Sequence, residues 1–138
     1  MAYIKTSKGQ LSYNKQLPSI HQRIDKDRML ENMRILQIYL DKIGITWGPA
    51  FGTLIGIVRN EDFLPWATAT DFFLLKEDEE RFKDVLWLLK DIGFELVRYE
   101  RRGLYCITRN GQWMSFYVLR KISSDIRHSG GSHFLFDK

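Results

Sequence analysis

The 138-residue chain contains one cysteine, Cys106, with three prolines and three histidines. A lone cysteine excludes an intrachain disulfide and a thiolate zinc cluster, and suits a reducing, cytoplasmic setting. His21, His128 and His133 share no ligand spacing, which argues against a histidine metal centre. No apolar run approaches the roughly 20 residues of a bilayer-spanning helix. The opening residues, Met1 to Gln10, lack the apolar core of a signal peptide. Also missing is a ladder of alternating carboxylates. The stretch best placed to carry one reads Ala67-Thr68-Ala69-Thr70-Asp71, with one acid where metal-dependent chemistry wants two or three.

What is present describes a globular chain, 44% hydrophobic and 14% aromatic, of a length suited to one domain around a modest core. The net charge of +4 lies entirely in residues 93–138. There, eight basic residues (Arg98, Arg101, Arg102, Arg109, Arg120, Lys121, Arg127, Lys138) face four acids. Such a surface suits a phosphate-bearing partner, whether nucleotide, anionic glycan or nucleic acid. A solvated charged face is the plainer alternative.

Residues 1–24 are polar and read as an N-terminal extension. A capping acid, Asp25 or Asp27, opens a helix to about Lys42, whose stripe is Met29, Leu30, Met33, Leu36, Leu40 and Ile43. Ile45 to Trp47 reads as a short strand and Gly48-Pro49 as a break. Gly52 to Asn60 is a short apolar helix with Thr53 in its first turn, and Pro65 ends the next loop. Ala69 to Lys76 is a strand, apolar on both faces at its centre and therefore central in the sheet. Glu77 to Glu80 read as helix-start electrostatics rather than metal ligands. The helix they open buries Phe82, Val85, Leu86, Leu89 and Ile92. Strands follow at 94–99, 104–109 and 112–119, with Asn110-Gly111 as a two-residue hairpin turn. Residues 120–132 read as a loop and 133–136 as a last short strand. The whole predicts a single α+β domain over 25–138, with a mixed sheet flanked by helices.

The chemistry gathers at residues 51–71. A Gly52-Thr53 turn opening a helix offers backbone N–H groups and a hydroxyl to a phosphate. Arg59 can clamp an oxyanion bidentately. Residues two apart on a strand share a face, so carboxylates at 67, 69 and 71 would hold a hard cation; here that face is Ala67, Ala69, Asp71.

The run Phe51-Gly52-Thr53-Leu54-Ile55-Gly56, then Arg59, then Phe63-Leu64-Pro65-Trp66, then alternating residues ending at Asp71, resembles the LicD family, which includes the fukutin-related proteins, within the nucleotidyltransferase fold. The resemblance covers about residues 30–120. It implies a transferase using Mg²⁺ and a CDP-type nucleotide-activated donor to move phosphocholine or a polyol phosphate to a glycan or other hydroxyl acceptor. It also implies phosphate contact by Gly52 and Thr53, the motif arginine at Arg59 and the last metal carboxylate at Asp71. The sequence departs from the family at Ala67 and Ala69, where the family carries Asp, and near Ser115, where a later carboxylate would fall. Alternate acids trimmed to methyl groups are the pattern of an inactivated enzyme. A lineage that lost its metal while keeping its fold is the other explanation. Either way the chain as written is expected to be inactive.

Trp47, Trp87 and Trp113 read as packing residues, whereas Trp66 abuts the candidate site. Cys106 reads as an inert buried thiol, and Arg101-Arg102 as a solvated turn able to meet an acceptor phosphate. Tyr105 and Tyr117 stay unassigned. The alternative function is a non-catalytic module binding nucleotide, nucleic acid or another polyanion through the basic C-terminal third.

Overall fold

The computed structural model describes residues 2–18, 22–121 and 127–129. Its elements are β1 (Ala2–Thr6), β2 (Gly9–Tyr13), α1 (Lys26–Lys42), β3 (Trp47–Pro49), α2 (Phe51–Asn60), β4 (Ala69–Leu75), a 3-10 turn (Lys76–Asp78) and α3 (Glu79–Asp91). Strands β5 (Glu95–Glu100), β6 (Leu104–Arg109), β7 (Gln112–Lys121) and β8 (Arg127–Ser129) follow. The main sheet runs β3-β4-β7-β6-β5, with β8 paired to the end of β7. Only β4 and β7 are parallel, which makes the sheet mixed and the domain α+β as predicted. No helix among the described residues is long and apolar enough to cross a membrane.

One face of the sheet carries the core. Phe72 and Leu74 of β4, Met114, Phe116 and Val118 of β7, and Tyr105 and Ile107 of β6 pack with Met29, Leu36 and Leu40 of α1 and Phe82, Leu86 and Leu89 of α3. Asp25 caps α1 by accepting from the Arg28 N–H. The buried stripe of α1 is narrower than its periodicity suggests, since Leu30 and Ile43 are exposed. The opposite face holds a smaller cluster of Val97, Leu104 and Cys106 with Trp113 and Tyr117 against it.

The N-terminal residues are more than a polar extension. They fold as a hairpin whose single inward residues, Ile4 and Leu11, stand opposite each other and join the core. One apolar residue per strand leaves no periodicity to read, and burial arises only when the two strands meet. The hairpin is fastened to α3 by Ser7, which donates to Asp84 at 2.6 Å, and by Trp87 Nε1–H, which donates to Thr6 Oγ1 at 2.8 Å.

Other expectations shift by local context. The short strand lies at Trp47–Pro49 and includes the predicted break, because Pro49 sits on an edge strand where a missing N–H costs no ladder bond. Strand β8 occupies part of the expected loop, while 133–136 lie outside the described residues. The Asn110-Gly111 hairpin turn forms, both residues having positive φ. The acids before α3 act as ties. Asp78 accepts from the Thr46 N–H at 2.9 Å and pairs with Arg81. Glu79 pairs with Lys76 and accepts from Tyr105 Oη at 2.7 Å. Burial opposes the Glu79 charge, but these partners hold its carboxyl below the usual range, while burial first and then the bond to Glu79 push the Tyr105 phenol up.

Gly56 has no room for a side chain: a Cβ there would lie 2.4 Å from the Asp62 carbonyl oxygen and 3.0 Å from the Leu64 nitrogen. At Gly52 the nearest atom would be Leu64 Cδ1 at 3.8 Å, an ordinary contact. Gly56→Ala is therefore expected to destabilise the fold by about 1–3 kcal/mol in chemical denaturation, with Gly52→Ala changing stability by less than about 0.5 kcal/mol. Equal stability of the two variants contradicts this packing.

Candidate functional site

The site is built where the chain leaves the sheet. Strand β3 stops at Pro49, but the Ala50 N–H still donates to the Asp71 carbonyl at 2.9 Å. The backbone then turns through Phe51, whose φ of 48° is left-handed and strained for a bulky residue, and α2 begins. The Phe51 ring lies edge-on to Tyr117, with centroids 4.8 Å apart. With β3 gone, the Asp71 N–H has no strand partner on that side. The Thr53 hydroxyl accepts it at 2.7 Å.

The same turn leaves the start of α2 bare. Ala50 supplies no side-chain cap, the first turn has no acid, and the N–H groups of residues 51–53 have no acceptor among the described residues. An uncapped helix start of this kind presents partial positive charge and unspent donors.

Asp71 lies on the sheet face opposite the core, directly across β4–β7 from Ser115, and next along from Cys106 and Arg98. Among the described residues no cation pairs with its side chain, and burial pushes its carboxyl up to about 6. Burial and then the Asp71 charge push the Tyr117 phenol up to about 12. Ser115 is buried, accepts from Trp113 Nε1–H at 3.2 Å and lies 3.4 Å from Cys106 Sγ. Burial also raises the Cys106 thiol, in keeping with an unreactive group.

Gly52, Thr53, Asp71 and Ser115 thus come together. Arg59 does not join them: it is exposed in the last turn of α2, about 10 Å along the axis from Gly52 at the helical rise. Trp66 is 66% exposed in the loop before β4. Ala69 opens β4 on the Asp71 face, but Ala67 precedes the strand, its carbonyl accepting from the Ile24 N–H at 3.1 Å. The alternation argument therefore holds for 69 and 71 and not for 67. Among the described residues no three His, Cys, Asp or Glu side chains gather in a way that could hold a metal ion. The side chains present do not fit Mg²⁺ as a set.

Several contributors lay outside the motif reading. Tyr117 stands against the motif residue Phe51 at the start of α2, and nothing in their spacing announces the pair. Between the hairpin and α1, the Gln16 N–H donates to the Val97 carbonyl and the Asp25 N–H to Gln112 Oε1. Of the basic C-terminal residues, Arg98 and Arg102 both pair with Glu100, and Arg109 pairs with Glu31 and bonds Asn32. These cations are engaged inside the fold.

A family model described as LicD/FKTN/FKRP, nucleotidyltransferase domain, matches residues 44–128, more than half of the chain and all of this site. No curated protein matches the chain.

The raised Asp71 carboxyl sets a pH dependence. Its folded value of about 6 lies above the ordinary 3.8, so the folded protein holds the proton more tightly than the unfolded one. Stability is greatest below the unfolded value, falls as pH rises through that window and levels off above it. The full span corresponds to about 3 kcal/mol at most. Asp71→Asn is expected to match the parent near pH 4 and to exceed it in thermal stability at pH 7. Parallel profiles for the two proteins would remove the buried, unpaired carboxylate from the account.

Proposed function

Because the chain belongs to the LicD/FKTN/FKRP nucleotidyltransferase-domain family, and so to a phosphotransferase-type group of transferases, we propose that the face around Asp71 binds a CDP-type nucleotide-activated donor. Transfer of its phospho-group to a glycan or other hydroxyl acceptor is the reaction this face derives from. The observation that carries the reading is the bare start of α2 clamped beside Asp71. The N–H groups of residues 51–53 receive the donor phosphate, and the hydroxyl proton of Thr53 stays available because its oxygen serves as an acceptor toward Asp71. Arg59, two turns away, meets a remoter part of the donor or none of it.

Bound Mg²⁺ would neutralise phosphate charge in such a reaction. One carboxylate does not hold that ion, which prefers several oxygen ligands in strict geometry. With Ala67, Ala69 and Ser115 where acids would stand, the chain binds donor without turning it over. The free, buried Cys106 fits a reducing compartment. The alternative of a polyanion-binding module is less favoured, since Arg98, Arg102 and Arg109 already have acidic partners.

Titration calorimetry tests this reading. CDP is expected to bind the chain with little response to Mg²⁺. The Ala67→Asp, Ala69→Asp double variant is expected to gain about tenfold or more in CDP affinity when Mg²⁺ is added, the scale of restored charge-assisted ligation. An identical Mg²⁺ response in both proteins is the result that defeats the ligand assignment.

A further inference from the structure

Helix α2 is packed by its small residues and shows its large ones to solvent. Its two buried residues are Thr53 and Gly56. Leu54, Ile55, Ile57 and Val58 are all exposed, Val58 to 75%. At the helical repeat these four fall on the side opposite Gly52, Thr53 and Gly56 and form one continuous aliphatic face. The helix cannot roll to bury them. Gly56 must lie against the Asp62 carbonyl and the Leu64 nitrogen, and Thr53 must reach the Asp71 N–H. The face therefore offers on the order of 300 Å² of mostly apolar surface, matching the largest patch of a typical monomer on a helix of ten residues.

The rim of this face tells what covers it. Arg59 and Glu61, both exposed, stand at its C-terminal end, and nearby Lys26 is paired with Asp62 at 3.2 Å. One cation and one anion give an anionic bilayer no net attraction, but they suit a second copy of the same surface. A standard interface takes about 800 Å² from each partner, apolar at its centre and polar at its rim, and α2 supplies such a centre. In a two-fold contact the axis can run along α2 or across it. Along it, Arg59 meets Arg59, Glu61 meets Glu61, and like ends of the helix dipoles lie together. Across it, the last turn of each helix lies beside the first turn of the other, with unlike ends together. The second arrangement is favoured on both counts.

We propose that the aliphatic face of α2 is a homodimer interface in which two copies pack antiparallel, bringing each Arg59 to the start of the other copy's α2. With the contact centred near Gly56, Arg59 comes level with Thr53 across an interaxial distance of about 8–10 Å, within reach of an arginine side chain. Within its own chain Arg59 stands two turns from that end, and no other group engages it among the described residues. The dimer thus completes the donor site with a cation that one chain alone does not place there. The interface stands without the donor reading; the role of Arg59 rests on it.

Sedimentation velocity of the full chain is expected to show a dimer with a Kd on the order of 10 µM. Val58→Glu and Ile55→Lys leave the buried side of α2 untouched. Each is expected to weaken the dimer about a hundredfold or more, since an isologous contact carries every substitution twice. Arg59→Ala is expected to stay dimeric and to bind CDP about tenfold more weakly. Gly52→Asp, which has room for its side chain, is expected to repel the phosphate from its own subunit. An equimolar mixture of Arg59→Ala and Gly52→Asp chains is then expected to regain about a quarter of the parent's tight CDP sites, because half of the dimers are mixed and each holds one intact site. A parent that stays monomeric at several hundred micromolar, or a dimer that survives both face variants, overturns the proposal. So does a monomer that binds phosphatidylcholine–phosphatidylglycerol vesicles and loses them in Val58→Glu, which assigns the face to a bilayer. A mixture that regains nothing returns Arg59 to its own subunit and overturns its role across the interface. A dimer broken by Val58→Glu in a chain with no CDP affinity sinks the donor reading and leaves the interface.

Discussion

The bond from the Asp71 N–H to the Thr53 hydroxyl organises this molecule's candidate site. Strand β3 is too short to pair with all of β4, and a buried N–H left without an acceptor would cost about 1–3 kcal/mol. Thr53 supplies the missing acceptor and so fixes the first turn of α2 against the sheet. The strained Phe51 and its edge-on contact with Tyr117 follow from the same constraint, because the chain must lift off the sheet within one residue. Backbone strain of this sort, of order 1–3 kcal/mol, persists only where neighbours over-determine it.

That geometry places an unpaired carboxylate beside unspent backbone donors. Neither feature helps the fold. A buried Asp without a cation lowers stability at neutral pH, and an uncapped helix forgoes about 1 kcal/mol that a Ser or Asp at Ala50 would supply. Unfavourable features that adjoin each other are characteristic of a site shaped for a ligand. The core on the other face of the sheet shows no such compromise: its buried acids, Asp78 and Glu79, both have partners.

Much of this was legible in the residue pattern, for identifiable reasons. Helices α1 and α3 announce themselves by periodicity and by Asp25 at the cap, and Asn110-Gly111 dictates the hairpin. The 51–71 motif named the family, because glycine, threonine and proline at fixed offsets report a particular backbone path. What the pattern could not carry was pairing between distant segments. Ile4 and Leu11 are single apolar residues until a hairpin sets them opposite each other. The strand start at Ala69 was read correctly, but the face-sharing argument carried alternation on to Ala67, which precedes the strand. Gln112 carried no signal at all, because its role, an amide oxygen that accepts from the distant Asp25 N–H, exists only in the folded chain.

The charged C-terminal third shows the limit of composition. Its excess of basic residues suggested a polyanion surface, and three of those residues, Arg98, Arg102 and Arg109, are paired with Glu100 and Glu31, which composition alone does not show. The most direct test of the central claim is a crystal structure of the Ala67→Asp, Ala69→Asp protein grown with CDP and Mn²⁺. The account predicts the diphosphate on the N–H groups of the first turn of α2, with the ion on the Asp71 carboxylate. A diphosphate bound elsewhere, or an ion remote from Asp71, would contradict it.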